Sequence, residues 1–409
     1  MRFYTPIYVL TLIIILIDLY TYKYLKNSLR RIKSKKISIS LKFIFWAISL
    51  LIIVLFIIAS SSISKASSPE TYSRITLLIA AFSILYIPKI IFCIFQFIED
   101  LINLIIRLFK KKCFIHFVTK IGLFLSVIFF LSIIYGITIG RYNYKINKLD
   151  LKFENLPQSF NGIKIVQISD FHIGSYNKDY EEFEKIVRLI NEQNPDLLFF
   201  TGDMVNNFAD ELNGYIPILQ KLHATIGKYS ILGNHDYGDY SSWINQQEKK
   251  KNLEDIKQAQ IDAGFELLLN SSIKIKRDSD EIAIIGTENW SLPPFHQYGD
   301  LKKSMANVDT NSFKILLTHD PTYWDSTVVK KTNIDLTFAG HTHGMQFGIN
   351  IFGIHWSPSK YVYKQWGGLY EINNQYLYVN TGIGVIGIPG RIGMPPEITV
   401  VRLYGKNSI

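Results

Sequence analysis

Five of the chain's nine histidines stand in one ordered series of short motifs. The series reads Asp170-Phe171-His172, then Gly202-Asp203, then Gly233-Asn234-His235-Asp236, a lone His319, and Gly340-His341-Thr342-His343. Carboxylate, carboxamide and imidazole groups with no thiol among them are donors that borderline-hard divalent ions take, so these residue types point first to a metal site. Within Asp170-x-His172 and His341-x-His343, a two-residue step on extended backbone sends both side chains the same way, and each pair can grip one metal region. Glycines at 202, 233 and 340 permit tight turns that aim the next residue inward.

Such residues need elements to hold them. Apolar, β-rich runs recur at Ile163 to Ile168, Leu197 to Phe200, Tyr229 to Leu232, Ile282 to Ile285, Phe313 to Leu317, Ile334 to Phe338, Tyr376 to Val379 and Ile398 to Leu403. Between the first two, Asp179 to Asn194 has Phe183, Ile186, Val187 and Ile190 at helical spacing. The alternation predicts an α/β layered domain with sheet at its centre. Asp170, Gly202-Asp203, Gly233-Asn234-His235, His319 and Gly340-His341 each follow a predicted strand. Functional groups of an open α/β sheet collect at the carboxyl ends of strands, so five strand ends converge on one site. Asp236 either holds a turn or assists catalysis. His223, His296 and His355 lie outside the series and read as ordinary surface or loop histidines, and His116 has no evident partner.

Charge divides the chain. Residues 1–150 carry 20 Lys/Arg against 5 Asp/Glu, and residues 151–409 carry 24 against 29, so the overall +10 is not the footprint of a nucleic-acid binder. The basic half contains four apolar runs, about 5–21, 43–60, 75–98 and 121–140, each able to span a hydrocarbon core of about 30 Å, which needs about 20 helical residues. The first is followed by no small-residue cleavage site and reads as a retained anchor. The third is the weakest, because Pro88-Lys89 interrupts it. Leu101 to Lys112 reads either as an amphipathic helix on the inner membrane surface or as an extension of the third helix. The expected organisation is a transmembrane region at 1–141, a tether at 142–157 and the motif domain at 158–409.

Lys and Arg are retained on the cytoplasmic side. The loop from Tyr22 to Lys42 and that from Arg107 to Lys120 are basic, whereas Ser61 to Arg74 holds only Lys65 and Arg74. With four spans both termini lie outside and the motif domain is extracytoplasmic, in a bacterial inner or cell membrane; should the third run fail to span, it faces the cytoplasm. Both cysteines, Cys93 and Cys113, belong to the membrane half, so the motif domain has neither a disulfide nor a thiolate ligand.

The order D-x-H, GD, GNH[D/E], H, GHxH resembles the calcineurin-like metallophosphoesterase superfamily over about residues 160–405. Gly340 to Phe347, Ser357-Pro-Ser-Lys360, Gly367 to Glu371 and Pro396 to Thr399 look like its bacterial membrane-associated branch. The resemblance implies a four-layered α/β/β/α sandwich behind the transmembrane helices and two divalent ions, manganese, iron or zinc. Asp170, His172 and His343 would hold one, Asn234, His319 and His341 the other, and Asp203 would bridge them. Such a pair polarises phosphoryl oxygens and makes hydroxide available near neutral pH for in-line attack on phosphorus. His235 would stay free of metal and stabilise transition-state charge or protonate the leaving alkoxide. Phe171 either walls the site or fills core.

One departure narrows the class. Phosphoprotein phosphatases of the superfamily follow GD with an Asp-Arg pair that grips phosphate, and here the text is Gly202-Asp203-Met-Val-Asn-Asn207. Arg391 either replaces that phosphate contact or faces solvent. A site anchored at a bilayer favours a phosphodiester or phosphomonoester of a lipid, and Met345 to Trp356 reads either as an apolar lip for acyl chains or as ordinary hairpin packing. Members of the branch include hydrolases of UDP-diacylglucosamine, so a lipid-linked pyrophosphatase is the alternative, and a membrane scaffold or sensor with a vestigial site is the rival of another class. The oligomeric state is left open.

Overall fold

The computed structural model describes residues 4–63, 68–109, 115–293, 295–351 and 353–405. The chain divides into two units, a helical one of Met1–Thr138 with Gly387–Pro389 and one of mixed α/β structure of Ile139–Ile386 with Gly390–Ile409. The helical unit has four long helices: α1 (Tyr4–Leu29), α2 (Lys35–Ile63), α3 (Pro69–Leu108) and α4 (Val118–Thr138). Among the described residues, the stretches Lys35–Ala59, Pro69–Leu108 and Val118–Tyr142 are long and apolar enough to cross a membrane. α1 is not among them; its apolar run contains Asp18 and is followed by Lys23 and Lys26.

The run expected to be the weakest forms the longest helix. α3 starts at Pro69 behind Ser68, whose Oγ accepts the Thr71 N–H at 3.3 Å, and passes through Pro88 without a break. The Lys89 charge is compensated inside the unit, because Nζ lies 2.7 Å from Oδ1 of the buried Asp18 and 4.4 Å from the Tyr86 ring. The segment after Leu101 continues α3 as far as Leu108, and Lys110, Lys111, Lys112 and Cys113 lie outside the described residues.

The second unit is built on two six-stranded sheets. The first has the order β1 (Lys145–Phe153), β14 (Glu397–Gly405), β2 (Lys164–Ile168), β3 (Leu197–Phe200), β4 (Gly227–Ser230) and β5 (Glu266–Leu267). The second runs β12 (Gly368–Ile372), β13 (Gln375–Val379), β9 (Leu336–Ala339), β8 (Phe313–Leu317), β7 (Asp280–Gly286) and β6 (Ser271–Arg277). In each sheet the central strands are parallel and mostly apolar because both faces are covered, with Gln167, Ser230, Lys314 and Thr337 as buried polar exceptions. Alternate residues serve different layers. Ile165, Leu197 and Phe199 meet Ile284, Ile315, Leu317 and Phe338 of the other sheet, while Val166, Leu198 and Phe200 turn outward.

The outward face of the first sheet packs on α5 (Tyr180–Asn191), α6 (Ile216–Leu219) and α7 (Gln246–Asp262) through Phe183, Ile186, Ile190, Leu219 and Ile256. The second sheet is covered by α8 (Leu301–Ser304) and the turn at Trp324 to Val328. This is the expected helix/sheet/sheet/helix sandwich, with a thin outer layer on one side. The expected tether is corrected in part: Lys145 to Phe153 is an edge strand paired in parallel with β14. Leu149, Leu151 and Phe153 alternate with Asp150 and Lys152 there, the period of a half-buried strand, and Leu151 and Phe153 enter the core between the sheets.

Candidate metal centre

Every motif of the series begins where a strand ends. Asp170 follows β2, Asp203 β3, Asn234 and His235 β4, His319 β8 and His341 β9, so the site draws on both sheets. The backbone there is not extended. Asp170, His172, Asp203, His341 and His343 all have φ between 44° and 73°, in the left-handed region that costs side-chain-bearing residues roughly 1–3 kcal/mol each. Cross-strand hydrogen bonds hold that strain, with the Asp170 N–H donating to the Gly202 carbonyl at 2.9 Å and the His172 N–H to the Asp203 carbonyl at 3.1 Å. The i, i+2 reading therefore needs correction: Asp170 and His172 do share one cluster, but His341 and His343 part into two.

One cluster is Asp170, His172 and His343, and the other is Asp203, His319 and His341. His343 Nε2 lies 3.2 Å from Asp170 Oδ1 and 3.0 Å from His172 Nε2. His319 Nε2 lies 3.2 Å from Asp203 Oδ2, 3.0 Å from Asn234 Oδ1 and 3.2 Å from His341 Nδ1. Asp203 Oδ2 also approaches His172 Nε2 at 3.5 Å, which puts this carboxylate beside both clusters. Asn234 turns its oxygen to the cluster because its Nδ2 donates to Tyr240 OH at 2.9 Å. His319 is oriented by Nδ1–H donating to the Thr201 carbonyl at 2.7 Å, a support typical of imidazole ligands.

Electrostatics agree with a cation site. Burial alone would raise the Asp170 and Asp203 carboxyls, but the imidazoles around them outweigh it and hold both well below the usual carboxylate range. Burial would lower His319, yet Asp203 pushes it up to about 10, whereas burial dominates at His172 and His341 and pushes both down. Two ionised, buried carboxylates thus draw positive charge into the site. Buried nitrogen and oxygen donors converging on two adjacent points fit a pair of divalent ions.

His235 stands apart from both clusters. Its Nδ1–H donates to the Asn206 carbonyl at 2.7 Å, its backbone N–H donates to Asp203 Oδ1 at 2.8 Å, and its ring lies edge-on to that of His172 with centroids 4.9 Å apart. Asp236 is fully buried and accepts the N–H groups of Asp203, Met204, Val205 and Gly233 at 2.8–3.3 Å, tying the loop after β3 to the loop after β4. Replacing it by Ala leaves four buried donors unsatisfied. The expected result is a loss of about 3 kcal/mol or more, read as a lower melting temperature.

Two of the three motif glycines serve close approach rather than a turn. Gly202 has φ +95°, but a Cβ at Gly233 would overlap Asp203 Oδ1, and one at Gly340 would overlap Asp170 Oδ2. Arg391 is neither solvent-facing nor open to phosphate. It is buried and donates to the carbonyls of Gly384, Met394 and Thr381, bracing the loop behind His343. Phe171 is core, stacked on Phe200 at 5.0 Å. Of the two readings of Met345 to Trp356, ordinary packing does not hold: β10 (Ile349–Ile351) and β11 (Ile354–Trp356) leave Ile349, Ile351 and Ile354 in solvent, and Phe352 lies outside the described residues. His223, His296 and His355 are exposed as expected, the last stacked on Trp366.

Sequence reasoning missed four residues at the site. Asp320 Oδ2 lies 3.6 Å and Tyr363 OH 3.0 Å from His341 Nε2, Tyr240 holds Asn234, and Glu211 accepts the N–H groups of Gly174, Asn206, Asn207 and Phe208. Adjacency to His319 was a signal for Asp320, and the other three carried none.

Residues 163–345 match the family model of calcineurin-like phosphoesterases, and residues 1–141 match one described as a probable calcineurin-like phosphoesterase transmembrane domain. Uncharacterized metallophosphoesterase YkuE of Bacillus subtilis is 32% identical over 263 residues, covering 63% of this chain and 84% of that protein. The chain belongs to the calcineurin-like phosphoesterases. An uncharacterized metallophosphoesterase of Aquifex aeolicus is 27% identical to this phosphoesterase, over 67% of the chain and 99% of the relative. A transmembrane protein with metallophosphoesterase domain from Danio rerio is 28% identical, over 66% of the chain and 60% of the relative. This phosphoesterase is thus a membrane protein and a metal-dependent hydrolase of phosphoric esters.

Proposed function

We propose that this calcineurin-like phosphoesterase hydrolyses a phosphodiester or phosphomonoester of a membrane lipid at its two-cluster site. The observation that carries the reading is the placement of Asp203 beside both clusters while His235 stays outside them. Asp170, His172 and His343 would hold one divalent ion, Asn234, His319 and His341 the other, and Asp203 would touch both. When bound, the two ions polarise phosphoryl oxygens and supply hydroxide near neutral pH. His235, its Nδ1–H fixed on the Asn206 carbonyl, directs Nε2 to donate a proton to the departing oxygen. Asp236 and Glu211 keep the loop carrying Asp203 rigid, and Asp320 and Tyr363 orient His341.

Lipid as the substrate class is supported by the transmembrane region and by the exposed Ile349, Ile351 and Ile354 of the hairpin. The test is turnover by the detergent-purified chain with manganese, on an alkyl phosphomonoester, a soluble phosphodiester, a phospholipid and a lipid pyrophosphate. Highest kcat/KM on the phospholipid is expected, and a clear preference for the pyrophosphate would overturn the ester reading. The basic loops imply an extracytoplasmic domain. A phosphatase reporter fused after residue 409 is expected to be active, and a fluorescent cytoplasmic reporter there would reverse the topology.

A further inference from the structure

The hairpin of β10 and β11 follows the His341-x-His343 motif, and the chain comes back to the metal centre at Tyr363, whose OH lies 3.0 Å from His341 Nε2. The hairpin therefore stands at the rim of the site. Its base is held to the domain: the Gly348 N–H donates to the Ile392 carbonyl at 2.9 Å and the Ser357 hydroxyl to the Gly344 carbonyl at 2.6 Å.

Cross-strand partners of an antiparallel pair point to the same face, and the register sets Ile349 against Trp356, Asn350 against His355 and Ile351 against Ile354. One face is thus apolar and the other polar. A sheet with one solvated face normally turns its apolar side to the core, yet here it is His355 that meets the domain, its ring stacked 4.4 Å from that of buried Trp366. The isoleucines point away. They are 43% exposed at Ile349 and 59% and 57% at Ile351 and Ile354, so exposure grows toward the tip. On the returning segment Tyr361 and Val362 are exposed too, and Lys360 Nζ lies 5.1 Å from the Tyr361 ring.

The chemistry of this surface selects its partner. Residues 341–370 contain no Asp or Glu but carry Lys360 and Lys364, so an anionic surface attracts them. An aliphatic tip flanked by Tyr and Lys has the make-up of an interfacial element, with alkyl groups among acyl chains and the ring and ammonium at head-group level. A protein partner fits less well. A stable protein interface uses roughly 20–30 residues a side, and Ile349, Ile351, Ile354, Tyr361 and Val362 on a narrow ribbon fall far short of that. The chain is itself bound to a membrane by the helices of its first unit.

We propose that the isoleucine face of this hairpin, with Tyr361 and Val362, inserts into the interfacial layer of a lipid bilayer and holds the rim of the metal centre against it. An ester in that bilayer then reaches the site without crossing water. This benefit rests on the lipid-ester reading above, but docking is read by the depth of a probe and not by turnover, so either can fail alone.

The test uses the full chain with Cys93→Ser and Cys113→Ser in vesicles of phosphatidylcholine and phosphatidylglycerol. An environment-sensitive fluorophore is placed on Ile351→Cys or, as control, on Ile261→Cys, an exposed isoleucine of α7. At Ile351 the emission should shift to the blue and be quenched by nitroxides on the acyl chains about threefold or more above the control. Quenching no stronger than at Ile261 would overturn the docking, and a blue shift without lipid quenching would do so in favour of a second copy of the chain as the cover. In the unlabelled chain, Ile349→Ser, Ile351→Ser and Ile354→Ser together should lower kcat/KM about tenfold on phospholipid in vesicles and less than about twofold on a soluble phosphodiester. Equal losses on both would overturn docking as the role of the hairpin. A probe buried in lipid beside an enzyme that turns over no phospholipid would uphold the docking and sink the lipid-substrate reading.

Discussion

Asp203→Ala is expected to lower kcat by about 10³-fold or more on any ester the enzyme accepts, since several kcal/mol of transition-state stabilisation depends on the metal pair and each 1.4 kcal/mol is about tenfold. The size of the effect follows from position. One oxygen of Asp203 lies 3.2 Å from His319 Nε2 and 3.5 Å from His172 Nε2, and the other accepts the His235 N–H at 2.8 Å. Truncation thus removes a donor next to both clusters and loosens the backbone of the third functional residue. Asp203→Asn keeps the shape and drops the charge, so it should lose metal while melting near the wild-type temperature. Metal content by inductively coupled plasma mass spectrometry, measured beside turnover, separates the two effects. Turnover within tenfold of wild type in both variants would sink the two-metal reading.

His235→Ala should cost about 10²- to 10⁴-fold in kcat with metal content unchanged, because this ring touches neither cluster as a donor. Its role predicts a dependence on the leaving group. An alkyl phosphate needs a proton on its departing oxygen, whereas a nitrophenolate leaves without one, so the loss should be much smaller on a nitrophenyl ester. Equal losses on both substrates would assign His235 to charge stabilisation instead. Loss of metal in this variant would mean that the ring helps to hold the cations.

The site was legible in outline because motif order survives as short, local text. A strand followed by Asp-x-His or Gly-Asp is readable from a dozen residues, and all five motifs do sit at strand ends. Which histidine joins which cluster was not readable from spacing. His341 and His343 are two residues apart, but left-handed backbone at both turns them to different partners. The same limit hid Tyr363, which reaches His341 through the loop after Ser357, and Glu211, whose four backbone donors come from two loops. The place of Arg391 was hidden for a related reason: besides His343 Nδ1 at 3.2 Å, its partners are backbone carbonyls, and backbone acceptors leave no trace in side-chain identity.

In the membrane half, composition located the helices, but the sign of one local cue was wrong. Pro88-Lys89 reads as an interruption, yet α3 is continuous, because Asp18, some 70 positions earlier, supplies the counter-charge inside the helical unit. The edge strand β1 was taken for a tether since half of its residues are polar and only its pairing with β14 decides what it is.

By itself the amino-acid sequence determined the two-part organisation, the layered α/β class, the donor set and the residues that carry it, because hydropathy, strand periodicity and short motifs are local properties. Only the tertiary structure decided how those donors divide into two clusters around Asp203, that His235 stands outside both, and that Asp18 meets Lys89 inside the helical unit. Each of these depends on residues far apart in the chain meeting at a distance of about 3 Å, and positive φ angles, backbone acceptors and buried counter-charges set those meetings without appearing in the order of the letters.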